Sequence, residues 1–180
     1  MSDRIKVGLV GIGNCFSGLI QGIEYYRKNP SQEVTGIIHD KLAGYGIHDI
    51  DFVCGFDVGE NKVGKPLHEA IYEYPNMVDW IPKDELPKTD AKIYESPILD
   101  GVGIWVENRI KPLTSTKTTE QIADEAKKIL KDNGVEIIVS YLPVGSDKVT
   151  EFWAQVCLDT NIAFVNCIPS FIASDETWAK

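Results

Sequence analysis

Apolar and polar positions alternate along this chain in blocks of two kinds. Short β-branched runs, Ile5-Lys6-Val7-Gly8-Leu9-Val10, Ile50 to Phe56, Val135 to Leu142 and Ala163 to Ile168, read as buried strands. Between them lie segments with a helical repeat. Phe16, Leu19, Ile20 and Ile23 fall on one helix face, as do Ile122, Ala126, Ile129 and Leu130, and then Val149, Phe152, Trp153 and Val156. Punctuation agrees with these elements. Asn29-Pro30 ends the first helix, Thr118 with Gln121 makes a capping box, Gly134 supplies a stop, and Ser146 stands at an N-cap with Asp147 in the first turn. Val63, Leu67, Ala70 and Ile71 mark a short further helix, and residues 36–39 a short strand before a turn at 43–46. Residues 31–50 and 74–116 are otherwise irregular insertions, the second broken by prolines at 75, 82, 87, 97 and 112. Within it Asp100-Gly101 is a turn signal, equally an ordinary turn or a functional loop.

Alternation of apolar strands with helices predicts an α/β fold: a Rossmann-like, doubly wound, mostly parallel sheet covered on both faces. One domain spans residues 1–180. Ser174-Asp175-Glu176 opens a helix that Trp178-Ala179-Lys180 barely begins, so the chain reads as cut short before a second domain.

The first strand runs into Gly11-Ile12-Gly13-Asn14-Cys15-Phe16-Ser17-Gly18. A glycine turn between strand and helix directs free N–H groups and the positive helix end at a phosphate. Gly11 suits the tight turn and Gly13 the approach of a pyrophosphate, while Ser17 stands where the usual third glycine would be. The bland alternative is a βα turn with no ligand. Asp57 closes the second apolar strand, the position from which an acid accepts ribose hydroxyls and favours NAD over NADP. It lies 39 residues beyond Gly18 where about 20 is usual; the 31–50 insertion accounts for the excess. The alternative for Asp57 is a solvated strand end. Ligands of such sheets bind beyond the strands' carboxyl ends. Residues 11–14, Asp57, residues 142–145 and residues 166–170 are therefore expected to converge on one crevice, with the amides of Gly145 and Ser146 as a second helix N-terminus facing it.

Composition narrows the field. The 180 residues carry a net charge of −9, with 43% hydrophobic and 25% charged residues. No basic patch is available for a nucleic acid. There is no apolar run of membrane-spanning length and no signal peptide, which points to the cytoplasm. Cys15, Cys54, Cys157 and Cys167 lack ligand spacing and read as buried free thiols, Cys15 differing by its place at a helix N-terminus. The three histidines show no metal-site spacing, and no cluster of Lys, His or Arg marks the crevice as a site for a phosphorylated substrate.

The motifs Val10 to Cys15, Gln21 to Tyr26, Phe56-Asp57-Val58 with Lys62-Val63-Gly64, Leu99-Asp100-Gly101-Val102-Gly103, Val139 to Ser146, and Ala163 to Trp178 together resemble the myo-inositol-1-phosphate (inositol-3-phosphate) synthases of archaeal and actinobacterial type. The resemblance covers essentially the whole chain. It implies an NAD-dependent isomerase that converts glucose 6-phosphate to inositol phosphate by oxidation, intramolecular aldol closure and re-reduction. It also implies a homo-oligomer and a catalytic half, with the family's lysines, lying beyond this sequence, in the same or a second polypeptide. No catalytic residue carries over. The cofactor side does: Gly11, Gly13, Asn14, Cys15, Asp57, Ser140, Leu142, Pro143, Val144 and Gly145, with Asn166 and Ser170 as weaker candidates. The competing expectations are a stand-alone NAD-binding or regulatory module and a non-functional truncated product.

Overall fold

A computed structural model describes residues 4–30, 36–103 and 107–178. Its main sheet has five strands, all parallel, in the order β5-β4-β1-β6-β7. They are β1 (Ile5–Val10), β4 (Ile50–Asp57), β5 (Lys92–Glu95), β6 (Ile137–Ser140) and β7 (Ala163–Asn166). Helix α1 (Asn14–Lys28) follows β1, α2 (Leu67–Ala70) follows β4, α3 (Thr119–Asp132) precedes β6, and α4 (Asp147–Thr160) joins β6 to β7. Two-residue strands β2 (Lys41–Leu42) and β3 (Tyr45–Gly46) form a separate antiparallel hairpin.

Side chains leave β1 alternately to the two faces, as period-two geometry requires. Val7 and Leu9 enter a core with Phe16, Leu67, Ile71 and Ile93, while Val10 enters a second core with Ala126, Leu130, Val149 and Trp153. Helix α1 therefore covers one face, and α3 with α4 the other. The β1–β4 register slips between Val7 and Gly8, where Val7 pairs with Phe52 and Gly8 with Cys54. The extra residue, Val53, packs on the same side as Cys54. From β1 the chain moves outward to β4 and β5, then returns to the opposite side of β1 as β6. That reversal between β1 and β6 is the switch point at which such sheets open a crevice.

Several expected features stand as read. Helix α1 stops at Lys28 with Asn29 as C-cap. Thr118 and Gln121 exchange both capping-box bonds, and Gly134 takes a φ of +63° behind α3. Others differ. Residues 36–39 form a turn and bend, not a strand: Ile38 lies on the surface and pairs with no strand among the described residues. The helix expected over 63–73 shrinks to α2 between turns. Within the supposedly irregular 74–116, Lys92–Glu95 pairs with Cys54–Asp57 as an edge strand. Residues 171–178 make turns instead of a helix, and Asp175, not Ser174, accepts the Thr177 N–H at 2.8 Å. Residues 31–35 of the first insertion, residues 104–106 of the second, and Ala179 and Lys180 lie outside the described residues.

The buried face of α1 is not the purely apolar one its repeat suggests. Phe16 and Ile23 are buried, but Leu19 is partly exposed and Ser17 and Gln21 are inside. The Gln21 amide donates to Ser17 Oγ (3.0 Å) and to the Val78 carbonyl (2.8 Å), and its oxygen accepts from Ile81 N–H (3.0 Å). Buried polar groups keep their place when they are bonded in this way. Ser17, standing in for the third glycine, thus helps tie the 78–81 segment to α1.

Candidate functional site

The glycine turn is held to β4 through the N–H groups of Gly11 and Ile12 and closes on itself at Gly13, whose N–H donates to the Gly11 carbonyl at 2.8 Å. Gly11 has φ +82°, and a Cβ there would stand 2.9 Å from the Tyr141 carbonyl oxygen, so the turn can pass β6 only as glycine. Gly11 N–H donates to the Phe56 carbonyl at 2.9 Å. Ile12 is fully buried and reaches down over β4, where a Cβ on Gly55 would lie 2.9 Å from its Cδ1. Ile12 N–H donates to Asp57 Oδ2 at 2.8 Å, and Asp57 Oδ1 accepts from Gly59 N–H at 2.8 Å.

Asp57 is buried, which removes the solvated strand end as its description. Two amide bonds leave the carboxylate with further lone pairs for hydroxyl donors. Asn14 Oδ1 is occupied by Met77 N–H at 2.7 Å, so the Asn14 side chain anchors the 77 segment at the site's rim.

One crevice lies beyond the carboxyl ends of four strands. It is lined by Gly11, Gly13 and Asn14 after β1, by Asp57 and Val58 after β4, by residues 96–103 after β5, and by Leu142, Pro143, Val144 and Gly145 after β6. Three of the four segments expected to converge do so. The fourth does not: Asn166 and Ser170 line a separate cavity with Phe171 and the flank of α4, because β7 lies one strand beyond the switch point. Asn166 instead closes its own turn, donating to the Ser170 carbonyl at 2.8 Å. Ser140 is fully buried in β6, with its Oγ lacking a hydrogen-bond partner among the described residues.

Cys15 is exposed at the start of α1, and Cys167 is exposed too. The reading of four buried thiols thus holds only for Cys54 and Cys157, which burial pushes up to about 12. The other two occupy a helix start and a strand-end turn, where the apolar sequence around them faces elsewhere.

The two helix N-termini at the crevice differ. Gly13 caps α1 with no side-chain bond, and a Cβ on Gly13 would meet nothing within 4 Å. That end of α1 is open backbone facing open space, the arrangement that takes an anion. At α4, Ser146 makes no side-chain cap bond. The cap is Asp100, from the loop after β5: its Oδ1 accepts Lys148 N–H and its Oδ2 accepts Val149 N–H, both at 3.0 Å. A carboxylate belonging to the protein already takes two first-turn amides of α4, and the Ser146 N–H donates to the Pro143 carbonyl at 3.2 Å, so Ser146 does not offer the crevice the free amide expected of it.

Of the two readings open for the Asp100-Gly101 turn, the loop at the crevice is the one the structure shows, with Asp100 as the cap of α4; Lys62 is a site residue that the sequence reading does not single out. Lys62 is a buried cation at the crevice wall, where no basic cluster was expected. Burial lowers its pKa, and the charges of Asp57 and Glu73 oppose that shift. The sequence signal for Lys62 is its place in the family-like motif Lys62-Val63-Gly64. Among the described residues no cluster of three or more His, Cys, Asp or Glu could hold a metal ion, and no helix is long and apolar enough to cross a membrane.

No protein-family model matches the chain. It is 41% identical over 180 residues to inositol-3-phosphate synthase of Mycolicibacterium smegmatis and 40% identical to that of Corynebacterium glutamicum, in each case across 99% of this chain and 47% of the relative. The chain spans about half the length of the curated relatives it matches. Among solved structures, that of Ari2 superposes with a TM-score of 0.79 at 26% identity, over 97% of this chain and 50% of the other. A myo-inositol-1-phosphate synthase-related protein from Thermotoga maritima gives 0.73 at 22% identity, with the same coverage, and shares the fold.

Proposed function

We propose that this chain, which is similar from end to end to about half of an inositol-3-phosphate synthase, is the NAD-binding half of such an enzyme. The observation that carries the reading is the uncapped start of α1, opening onto the crevice at the switch point beside a buried strand-end aspartate. The residues fit the group. Gly13 leaves room where a side chain would obstruct a pyrophosphate, the first-turn amides of α1 would hold its charge, and Asp57 would accept the adenosine ribose hydroxyls. Residues 142–145 form the wall across the switch point, on the side left for the nicotinamide. A carboxylate at Asp57 disfavours a 2′-phosphate, which selects NAD.

When bound, NAD supplies reversible hydride transfer. This chain's part is to bind and orient it and to close one wall of the reaction space. Glucose 6-phosphate is the substrate of the assembled enzyme, and the acid–base groups come from the complementary half, in the same or another polypeptide. A homo-oligomer working in the cytoplasm completes this reading.

Calorimetric titration of NAD into the 180-residue chain tests the cofactor assignment, with saturable binding expected. Adding the second half of a synthase with glucose 6-phosphate tests the enzyme assignment, with inositol phosphate as the expected product. Absence of product from a folded, NAD-loaded mixture would refute it. Turnover by the chain alone would refute the division of labour.

A further inference from the structure

Lysine is among the residues least often buried without a partner, yet Lys62 is buried beside the glycine turn. Its ammonium donates to the Ile12 carbonyl oxygen at 2.6 Å and to Asn76 Oδ1 at 3.1 Å, and stands 4.0 Å from Asp57 Oδ2. Asn76 Nδ2 donates to the same Ile12 carbonyl at 3.1 Å and to the Ile71 carbonyl at 3.0 Å. Ile12 is therefore gripped on both sides, its N–H by Asp57 and its C=O by Lys62 and Asn76. With these oxygens around it, the ammonium is committed to the protein and is not a free phosphate ligand.

We propose that Lys62 is a positioning residue for the dinucleotide, holding the Ile12 carbonyl inward so that the turn keeps its following amides directed at the crevice. The inference rests on the NAD reading given above. The Ile12 carbonyl and the Gly13 N–H belong to one planar peptide unit, so fixing one fixes the other; the Gly13 N–H closes the turn on the Gly11 carbonyl at 2.8 Å, and the amides left for the crevice are those that follow it at the start of α1. That unit lies between Ile12 and Gly13, with Gly11 one residue before it, and glycine has little conformational preference of its own. The turn thus has the freedom that close approach to a phosphate needs and lacks stiffness. Lys62 and Asn76 supply the stiffness from a segment 50 residues or more away in sequence.

The groups facing Lys62 are Asp57, Asn76 and Glu73, the last paired with Lys65 at 2.6 Å. Burial favours loss of the Lys62 proton below the ordinary lysine range. Raising the pH therefore discharges the clamp without mutation and removes the charge-assisted part of its bond to Ile12.

Two readouts on the full chain decide the matter, one of which needs no cofactor. Amide hydrogen exchange is measured for residues 12–15 in wild type and Lys62→Met, with the amides of α3 as a reference for the fold. Exchange at 12–15 is expected to rise about tenfold while α3 stays unchanged. NAD is then titrated between pH 7 and pH 10. Wild-type affinity is expected to fall as pH rises, and Lys62→Met to bind about tenfold more weakly with a flat profile. If Lys62→Met does not fold, Asn76→Ala removes one donor from the Ile12 carbonyl while Lys62 and Asp57 stay paired, and about a threefold change in the same direction is expected. Wild-type exchange at residues 12–15 in a folded variant overturns the proposal, as does an unchanged pH profile in Lys62→Met. Loosened exchange in a chain whose wild type binds no NAD supports the clamp and refutes the NAD reading instead.

Discussion

Asp57 Oδ2 accepts the backbone N–H of Ile12 at 2.8 Å, across 45 positions of sequence. One carboxylate thus holds the glycine turn and closes the strand from which a ribose would be recognised. Its two oxygens do separate work, since Oδ1 accepts from Gly59. Replacing Asp57 by Ala would leave the Ile12 N–H unpaired and Lys62 without its neighbouring charge. NAD affinity should fall by about 1–3 kcal/mol, read by calorimetry. Stability should fall as well, read by denaturant unfolding. Asn at this position keeps an acceptor and should lose less of both.

Gly11 and Gly13 separate folding from binding. An alanine at 11 would need a strained φ and a 2.9 Å approach to the Tyr141 carbonyl, so Gly11→Ala should cost about 1–3 kcal/mol of stability. At Gly13 the φ is −96° and a Cβ meets nothing. Gly13→Ala should fold as the wild type does, within about 0.5 kcal/mol, and still lose NAD, because the methyl group takes the space left for the pyrophosphate. Thermal unfolding and NAD titration of the two variants together check the contrast.

The two capping residues of α4 should behave oppositely to their sequence positions. Asp100→Ala removes both acceptors at the helix start and the favourable charge there, and should destabilise the chain by about 1–2 kcal/mol. Ser146→Ala, at the formal N-cap, removes a side chain that makes no cap bond and should be close to neutral. Denaturant midpoints of the two variants measure this directly.

Native thiol labelling should divide the cysteines in two pairs. Cys15 and Cys167 are exposed, while Cys54 and Cys157 are buried and held up to about 12. The thiolate is the reactive form. An alkylating reagent at neutral pH should therefore modify Cys15 and Cys167 in the folded chain and reach the other two only after unfolding, as peptide mass mapping would show. Bound NAD should slow the reaction at Cys15, which begins α1.

Strands buried on both faces, which read as apolar runs, and helices with one apolar face were open to reading from the sequence. The strands β1, β4, β6 and β7 and the helices α1, α3 and α4 each carry their repeat within a dozen residues. The box of Thr118 and Gln121 spans three positions, and Asp57 sits at the end of an apolar run. The β5 strand escaped because two of its four residues are Lys92 and Glu95, and a short edge strand need not alternate cleanly. Ser17 and Gln21 lie on the buried side of α1 without belonging to its apolar repeat, because bonded amides and hydroxyls can lie inside a helix face.

The sequence by itself determined the parallel α/β architecture, the glycine turn before α1 and the acid at the end of β4, since these follow from local periodicity and from the conformations that Gly and Asp permit. The tertiary structure alone decided which strand ends share the crevice: the β5 loop enters it and Asn166 with Ser170 does not, because strand order is absent from the order of the chain. It likewise decided that Asp100 caps α4 and that Lys62 grips Ile12. Those contacts join positions 48 to 50 residues apart. Hydrogen bonds at such separations depend on where two segments finally pack, and no local pattern in the sequence encodes that.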